Sequence, residues 1–253
     1  MSNQTYTKLK ALHLSGMAEC YKEMVIEREG GVLTAEEVLT LMVDREEDKR
    51  VSTKRQRLIQ KAAFEQPQAS LSEIDYDEGR MLDRGVVLRL ETCDFIDKSR
   101  NIVIMGATGS GKSYLACALG MSACLKLYSV RFTRMRSLLD DLRLASDLKH
   151  TRYTKELKKC NLLIIDDWML SEIDELETQF LYELIHDREL TDGTSTMLCT
   201  QYDLKGCAMK MANRTMSDAI YDRLEHNAYI VDLSQNPNYP SMRERYGRNK
   251  RPI

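Results

Sequence analysis

Two apolar periodicities divide the chain. Up to about residue 70, apolar residues recur at helical spacing without strand-like alternation: Leu9, Leu12, Met17, Tyr21, Met24 and Val25 fall on one face. Gly30-Gly31 reads as the end of that helix, and Thr34 with Glu37 three residues on reads as a capping box. The second helix then runs through Val38, Leu41 and Met42, and Pro67 closes the region. From about 71 to 100 the pattern predicts a connector with one helix, from near Asp77 to Phe95. Beyond it, short apolar runs at 102–105, 129–133, 162–165, 195–199 and 228–232 alternate with helix-compatible stretches. Such alternation predicts a parallel sheet with helices on both faces. The expected organisation is a small all-α N-terminal domain over 1–70, binding DNA or a partner, and an α/β domain over 71–253.

The first apolar run leads into Gly106-Ala107-Thr108-Gly109-Ser110-Gly111-Lys112-Ser113, followed by a predicted helix from Tyr114 to Leu127. The spacing is G-x-x-x-x-G-K-[ST] in a strand–loop–helix setting, the phosphate-binding P-loop. Its glycines let backbone N–H groups converge on phosphate oxygens, and the helix start adds its positive dipole end. Residues Gly106 to Tyr114 are therefore the candidate nucleotide cradle, with Lys112 reaching the β- and γ-phosphates and Ser113 ligating Mg²⁺. A glycine-rich turn that binds nothing would not need these flanks. About fifty residues on, Leu162-Leu163-Ile164-Ile165-Asp166-Asp167 is an apolar strand ending in two carboxylates. Asp166 is the candidate metal ligand and Asp167 the candidate group that polarises the attacking water.

Three further polar residues stand at element ends. Gln201, with Thr200 beside it, ends the fourth strand. Arg223 lies in the helical segment before the last strand, where it either reaches another subunit's γ-phosphate or forms a surface salt bridge with Asp222 or Glu225. Arg243 opens a basic run near the end, which either folds back onto the phosphates or is a solvated tail.

Composition narrows the classes. Net charge is −2 over 253 residues, so any nucleic-acid contact must rest on local clusters. Two qualify: the helix bearing Lys49, Arg50, Lys54, Arg55 and Arg57, and the stretch bearing Arg134, Arg136, Lys149 and Arg152. Phosphate contacts of this kind give affinity without sequence reading. A solvated helix face is the plain alternative, since acidic residues are interspersed. The N-terminus lacks a signal-peptide apolar region, and no apolar run approaches a membrane span; the expectation is a cytoplasmic protein. Seven cysteines without a C-x-x-C pair read as buried free thiols, and the four histidines lack metal spacing. No G-x-S-x-G is present, so a hydrolase elbow is not expected.

GATGSGKS, LLIIDDW, a strand ending CTQ, the DAIYDRL helix and a terminal SMR, in that order, resemble the AAA+ ATPases of the IstB/DnaC group. The resemblance covers roughly residues 70–250 and is closer to IstB, the transposition helper of insertion sequences. It implies an AAA+ P-loop NTPase with a parallel five-stranded sheet flanked by helices, using ATP and Mg²⁺. It also implies ATP-dependent homo-oligomers on duplex DNA, nucleotide at subunit interfaces, and a transposase as partner in a bacterial, DNA-associated setting. Under it Lys112, Asp166, Asp167, Gln201, Arg223 and Arg243 form the catalytic set: Gln201 senses the γ-phosphate, Arg223 is a finger in trans and Arg243 a second sensor. Helicase loaders share most of these motifs, so a DnaC-like loader of a replicative helicase is the alternative. A P-loop kinase would need an arginine-bearing lid between the fourth and fifth strands, and none is read there. One departure is Asp167, where most of these ATPases place Glu; the shorter side chain implies slow hydrolysis.

Overall fold

The computed structural model describes residues 2–27, 33–80, 82–144, 147–233, 236 and 240–246. They form two compact units, Met1–Arg57 and Leu58–Ile253. The first unit is all helical, with α1 (Ser2–Ala11), α2 (Ser15–Tyr21), a π-helical turn at Lys22–Ile26, and most of α3 (Ala35–Ala62). The single first helix expected from periodicity is thus interrupted: His13 adopts a left-handed conformation (φ 59°) between α1 and α2. The Gly30-Gly31 stop lies outside the described residues. The capping box forms, with Thr34 N–H donating to Glu37 (2.7 Å) and Glu37 N–H to Thr34 Oγ1 (3.3 Å). Gly16 lets α2 approach α3 closely, for a Cβ there would lie 2.6 Å from Arg45 O. Its N–H donates to buried Glu46 (2.7 Å).

The composition shift lies near residue 70, but the units divide after Arg57. The physical reason is that Leu58, Ile59, Ala62 and Phe64 belong to the core beneath the sheet of the second unit. In the connector, the described residues form 3₁₀ turns at Leu71–Glu73 and Glu78–Arg80, then α4 (Arg84–Glu91) and α5 (Asp94–Asp97), each shorter than the helix expected from Asp77 to Phe95. Asp83 caps α4 by accepting from Gly85 N–H, which fixes its start. Left-handed Cys93 (φ 64°) separates it from α5.

The remaining elements alternate as the pattern predicts: β1 (Asn101–Met105), α6 (Lys112–Leu125), β2 (Val130–Arg134), α7 (Met135–Leu144), α8 (Asp147–Lys159), β3 (Leu162–Trp168), α9 (Glu175–Glu189), β4 (Ser195–Thr200), α10 (Leu204–Ala208), α11 (Arg214–His226), β5 (Ala228–Asp232) and α12 (Met242–Tyr246). All strand pairs are parallel, in the order β2-β3-β4-β1-β5. Alternate strand residues feed opposite faces. Ile102, Ile104, Leu162, Ile164 and Met197 join the core against α6, while Leu163, Ile165 and Leu198 join that against α9 and α11. Because both faces are covered, every residue of β4 is buried, and β3 opens as a continuous apolar run from Leu162 to Ile165. Gly120 in α6 allows tight packing on the sheet, since a Cβ there would meet Phe64 at 2.6 Å and Ile164 at 2.8 Å. Arg188, 2% exposed, donates to the carbonyls of Leu157 (2.6 Å), Cys160 (2.9 Å) and Ser195 (2.6 Å), tying α8 and β4 to α9. All seven cysteines are buried free thiols. No helix among the described residues is long and apolar enough to cross a membrane.

Candidate nucleotide site

The strand order decides where the site lies. β4 inserts between β1 and β3, so the carboxyl ends of all three meet. In open α/β sheets ligands bind there. The loop between β1 and α6 curls because Gly106 (φ 157°) and Gly111 (φ 92°) take backbone conformations that side chains disfavour. A Cβ on Gly106 would also lie 2.7 Å from Ser110 Oγ and 2.9 Å from Leu233.

Lys112 is 7% exposed and folds back over the loop, donating to Gly106 O (2.8 Å) and Ala107 O (2.9 Å). Its charge is held where phosphates would sit. Asp166 is 2% exposed, and burial pushes its carboxyl above the usual range, countered by a hydrogen bond from Ser113. Asp166 Oδ1 has no hydrogen-bond partner among the described residues, nor has Ser110 Oγ. An orphaned, buried carboxylate oxygen beside a hydroxyl, with phosphates to come, is the donor set Mg²⁺ takes. The described residues contain no cluster of three or more His, Cys, Asp or Glu that would make a self-sufficient metal cage.

Asp167 takes a left-handed conformation (φ 54°) and is about 39% exposed. Its carboxylate lies 3.9 Å from Arg134 Nε, and Arg134 is ion-paired with Glu65. So Arg134, expected among the DNA contacts, stands at the end of β2 beside the two carboxylates. Gln201 reaches the loop directly: Thr108 Oγ1 donates to Gln201 Oε1 (3.0 Å). The Tyr114 hydroxyl points away from the loop, donating to Glu73 (2.8 Å) and accepting from Ser70 N–H (3.2 Å), so any part it has in the cradle falls to its backbone.

The back of the loop is clasped by residues that motif reading missed. Gly109 O accepts from Met242 N–H of α12 (2.8 Å), and Ser110 O from Arg80 (3.2 Å), itself 6% exposed. Arg80 also donates to Asp75 O (2.7 Å). The Asp75 carboxylate is ion-paired with Arg245 (2.9 Å) and accepts from Tyr246 OH (2.8 Å), and the Arg245 guanidinium holds it down to about 2. Gly109 O and Ser110 O are thus held from the side of α12 and Arg80, whereas Gly106 O and Ala107 O are held by Lys112. Of the clasping residues, Met242, in the terminal SMR, and Arg245, in the terminal basic run, carried a signal in the sequence. Arg243 lies in α12, but its side chain is outside the described residues.

Arg223 projects from α11 onto α9. It donates to Glu189 (2.5 Å) and Ala219 O (2.7 Å) and lies 5.5 Å from the Tyr182 ring. Its ion-pair partner is Glu189 rather than Asp222 or Glu225; Asp222 pairs with His226 instead (3.1 Å). Of the remaining basic candidates, Lys49 pairs with Glu19, Arg50 with Glu46, Arg136 with Asp140 and Arg152 with Glu156. Apart from Arg50, whose partner Glu46 is buried, these pairs are exposed, and exposed pairs are weak. Lys54, Arg55 and Arg57 are exposed, and the Lys149 side chain is outside the described residues. Within the second unit, an open cleft of about 400 Å³ is lined by Lys61, Arg131, Arg152, Lys155 and Lys159, with Glu156 as its acid.

The chain is 36% identical over 235 residues to the protein of Sinorhizobium fredii (strain NBRC 101917 / NGR234) named as the insertion sequence ATP-binding protein y4pL, covering 92% of this chain and 95% of that one. A crystal structure of DnaI has the same fold (TM-score 0.57, 19% identity, 70% of this chain and 91% of that one). So does AMPPCP-bound DnaA from Aquifex aeolicus (TM-score 0.54, 18% identity, 71% and 53%). These likenesses show that the sheet and its flanking helices follow the fold of those two proteins. The model of the family described as IstB-like ATP binding protein matches residues 7–249, and the chain belongs to that family.

Proposed function

We propose that the protein is an ATP-hydrolysing switch that assembles on duplex DNA and there recruits and activates the transposase of an insertion sequence. The observation that carries the ATPase part is the convergence of three strand ends on one loop: Lys112 folded over the P-loop carbonyls, Ser113 on Asp166, and Gln201 on Thr108. In this reading the loop N–H groups and Lys112 hold the β- and γ-phosphates, while Ser113 and Asp166 hold Mg²⁺. The ion supplies charge neutralisation across the phosphate oxygens. Asp167 orients a water whose oxygen attacks the γ-phosphorus; the bond to the β–γ bridging oxygen breaks, and ADP and phosphate leave. Gln201 reads the γ-phosphate through the same loop it already touches. Arg223 turns from Glu189 to a neighbouring subunit's nucleotide, so that each site is completed by a second copy. Arg243 follows Met242, which is docked on Gly109 O, and reaches the phosphates in cis.

Family membership supports the insertion-sequence role. The basic cleft and the exposed cations of α3 support DNA contact. The test is to image the protein with a non-hydrolysable ATP analogue and duplex DNA, and to titrate DNA binding against salt. Ordered multimers are expected on duplex, with log affinity falling about 0.9 per log salt for each phosphate contact. Monomers under every condition, or salt-insensitive binding, overturn the reading. The alternative is a DnaC-like helicase loader, which would prefer single-stranded over duplex DNA in competition.

A further inference from the structure

One buried polar chain touches three parts of the site. Trp168 Nε1–H donates to Tyr221 OH (3.1 Å). Tyr221 is hydrogen-bonded to Cys207, whose sulfur lies 3.2 Å from Thr200 Oγ1. Thr200 Oγ1 in turn accepts from Tyr202 N–H (3.1 Å), which spans Gln201. All four side chains are nine-tenths or more buried: Trp168 1%, Tyr221 6%, Cys207 0% and Thr200 1% exposed. Trp168 follows Asp167, Thr200 precedes Gln201, and Tyr221 stands two residues before Arg223 on α11.

The β3 end of the chain is under strain. Asp167 (φ 54°) and Met169 (φ 55°) are both left-handed, and the register with β4 breaks between Ile165 and Trp168. Non-glycine residues hold such conformations only where their surroundings over-determine them, and such strain gathers at switch regions. Here the indole between them is anchored by its bond to Tyr221. A change of backbone at Asp167 would therefore move the indole and, through its bond to Tyr221, α11. Tyr221 and Arg223, two apart on that helix, face in different directions. The first is locked into the core and the second lies on α9, so a shift of α11 re-aims Arg223 relative to Glu189.

We propose that Tyr221 is a positioning residue that couples the Asp166-Asp167 end of β3 to the placement of Arg223, through the buried chain Trp168–Tyr221–Cys207–Thr200. This rests on the reading of Arg223 as a group acting at a neighbouring subunit's nucleotide. Trp168 is the single tryptophan of the protein, so its emission reads the chain directly.

The experiment uses the full chain with Mg²⁺, ATP and duplex DNA. Wild type is compared with Tyr221→Phe, Arg223→Ala and the double variant. Tyr221→Phe is expected to lower kcat by about fivefold or more with KM for ATP within about twofold, and the double variant to fall no further than Arg223→Ala alone. The change in Trp168 emission on adding ATP is expected to vanish in Tyr221→Phe. Should Tyr221→Phe fail to fold, Trp168→Phe/Tyr221→Phe removes donor and acceptor together and is expected to show the same loss of kcat. Turnover near wild type in whichever of these variants folds, or losses that simply add in the double variant, overturn the proposal while leaving the Arg223 reading intact. An Arg223→Ala protein with undiminished turnover overturns the Arg223 reading itself, and the coupling with it.

Discussion

Asp166 and Asp167 are adjacent in sequence and opposite in circumstance. The first is sealed behind Ser113 with one oxygen orphaned, whereas the second is half in solvent beside Arg134. Burial raises the folded-state pKa of Asp166, so the folded protein holds this proton more tightly than the unfolded chain does. Its charge therefore costs stability increasingly as pH rises from the unfolded carboxyl range through the folded pKa. Asp166→Asn is accordingly expected to raise the unfolding temperature of nucleotide-free protein at neutral pH, while abolishing Mg²⁺-dependent tightening of ATP binding. Calorimetry without ligand and titration with ATP, with and without Mg²⁺, check both signs. Motif spacing brought out both carboxylates. It said nothing of Arg134 beside them, because that contact depends on β2 pairing with β3 across about thirty residues of chain.

Between elements, the consequential contact is α12 on the P-loop. Asp75 is its hub, holding Arg245 and Tyr246 with its carboxylate and Arg80 with its carbonyl. The depressed pKa of about 2 means that this pairing contributes stability above the unfolded carboxyl range and loses it as pH falls through about 2. The clasp is therefore constant across neutral pH. Asp75→Asn removes the charge and keeps the shape. ATP affinity is expected to fall by about tenfold with turnover at saturating ATP nearly unchanged, the mark of binding shared by ground and transition states. Equal losses in kcat and kcat/KM would contradict that. Strands and the capping box at Thr34 were legible at this scale because short apolar runs and caps are local signals. The break at His13 and the shortened α4 were not, since left-handed residues other than glycine announce themselves poorly in a sequence.

For the whole molecule, the strand order sets what one copy holds and what it offers. The cradle, Asp166 and Gln201 sit at the carboxyl ends of β1, β3 and β4, while Arg223 rests on the outer side of α9. If each nucleotide is completed by a second copy, two crippled variants should rescue one another. Mixing equal amounts of Arg223→Ala and Asp167→Asn protein should restore turnover to about a quarter of wild type, since random head-to-tail pairing makes about that share of interfaces whole. A mixture no more active than its parts would show that the arginine acts elsewhere. The amino-acid sequence alone determined the phosphate cradle, the two carboxylates, the alternation of strands and helices and the family resemblance, because each depends on residues close together in the chain. Only the tertiary structure decided that β4 lies between β1 and β3, that Gln201 touches Thr108, that α12 clasps Gly109 and that Trp168 meets Tyr221. Those contacts join residues far apart along the chain, and the packing of two covered sheet faces, rather than any local pattern, selects them.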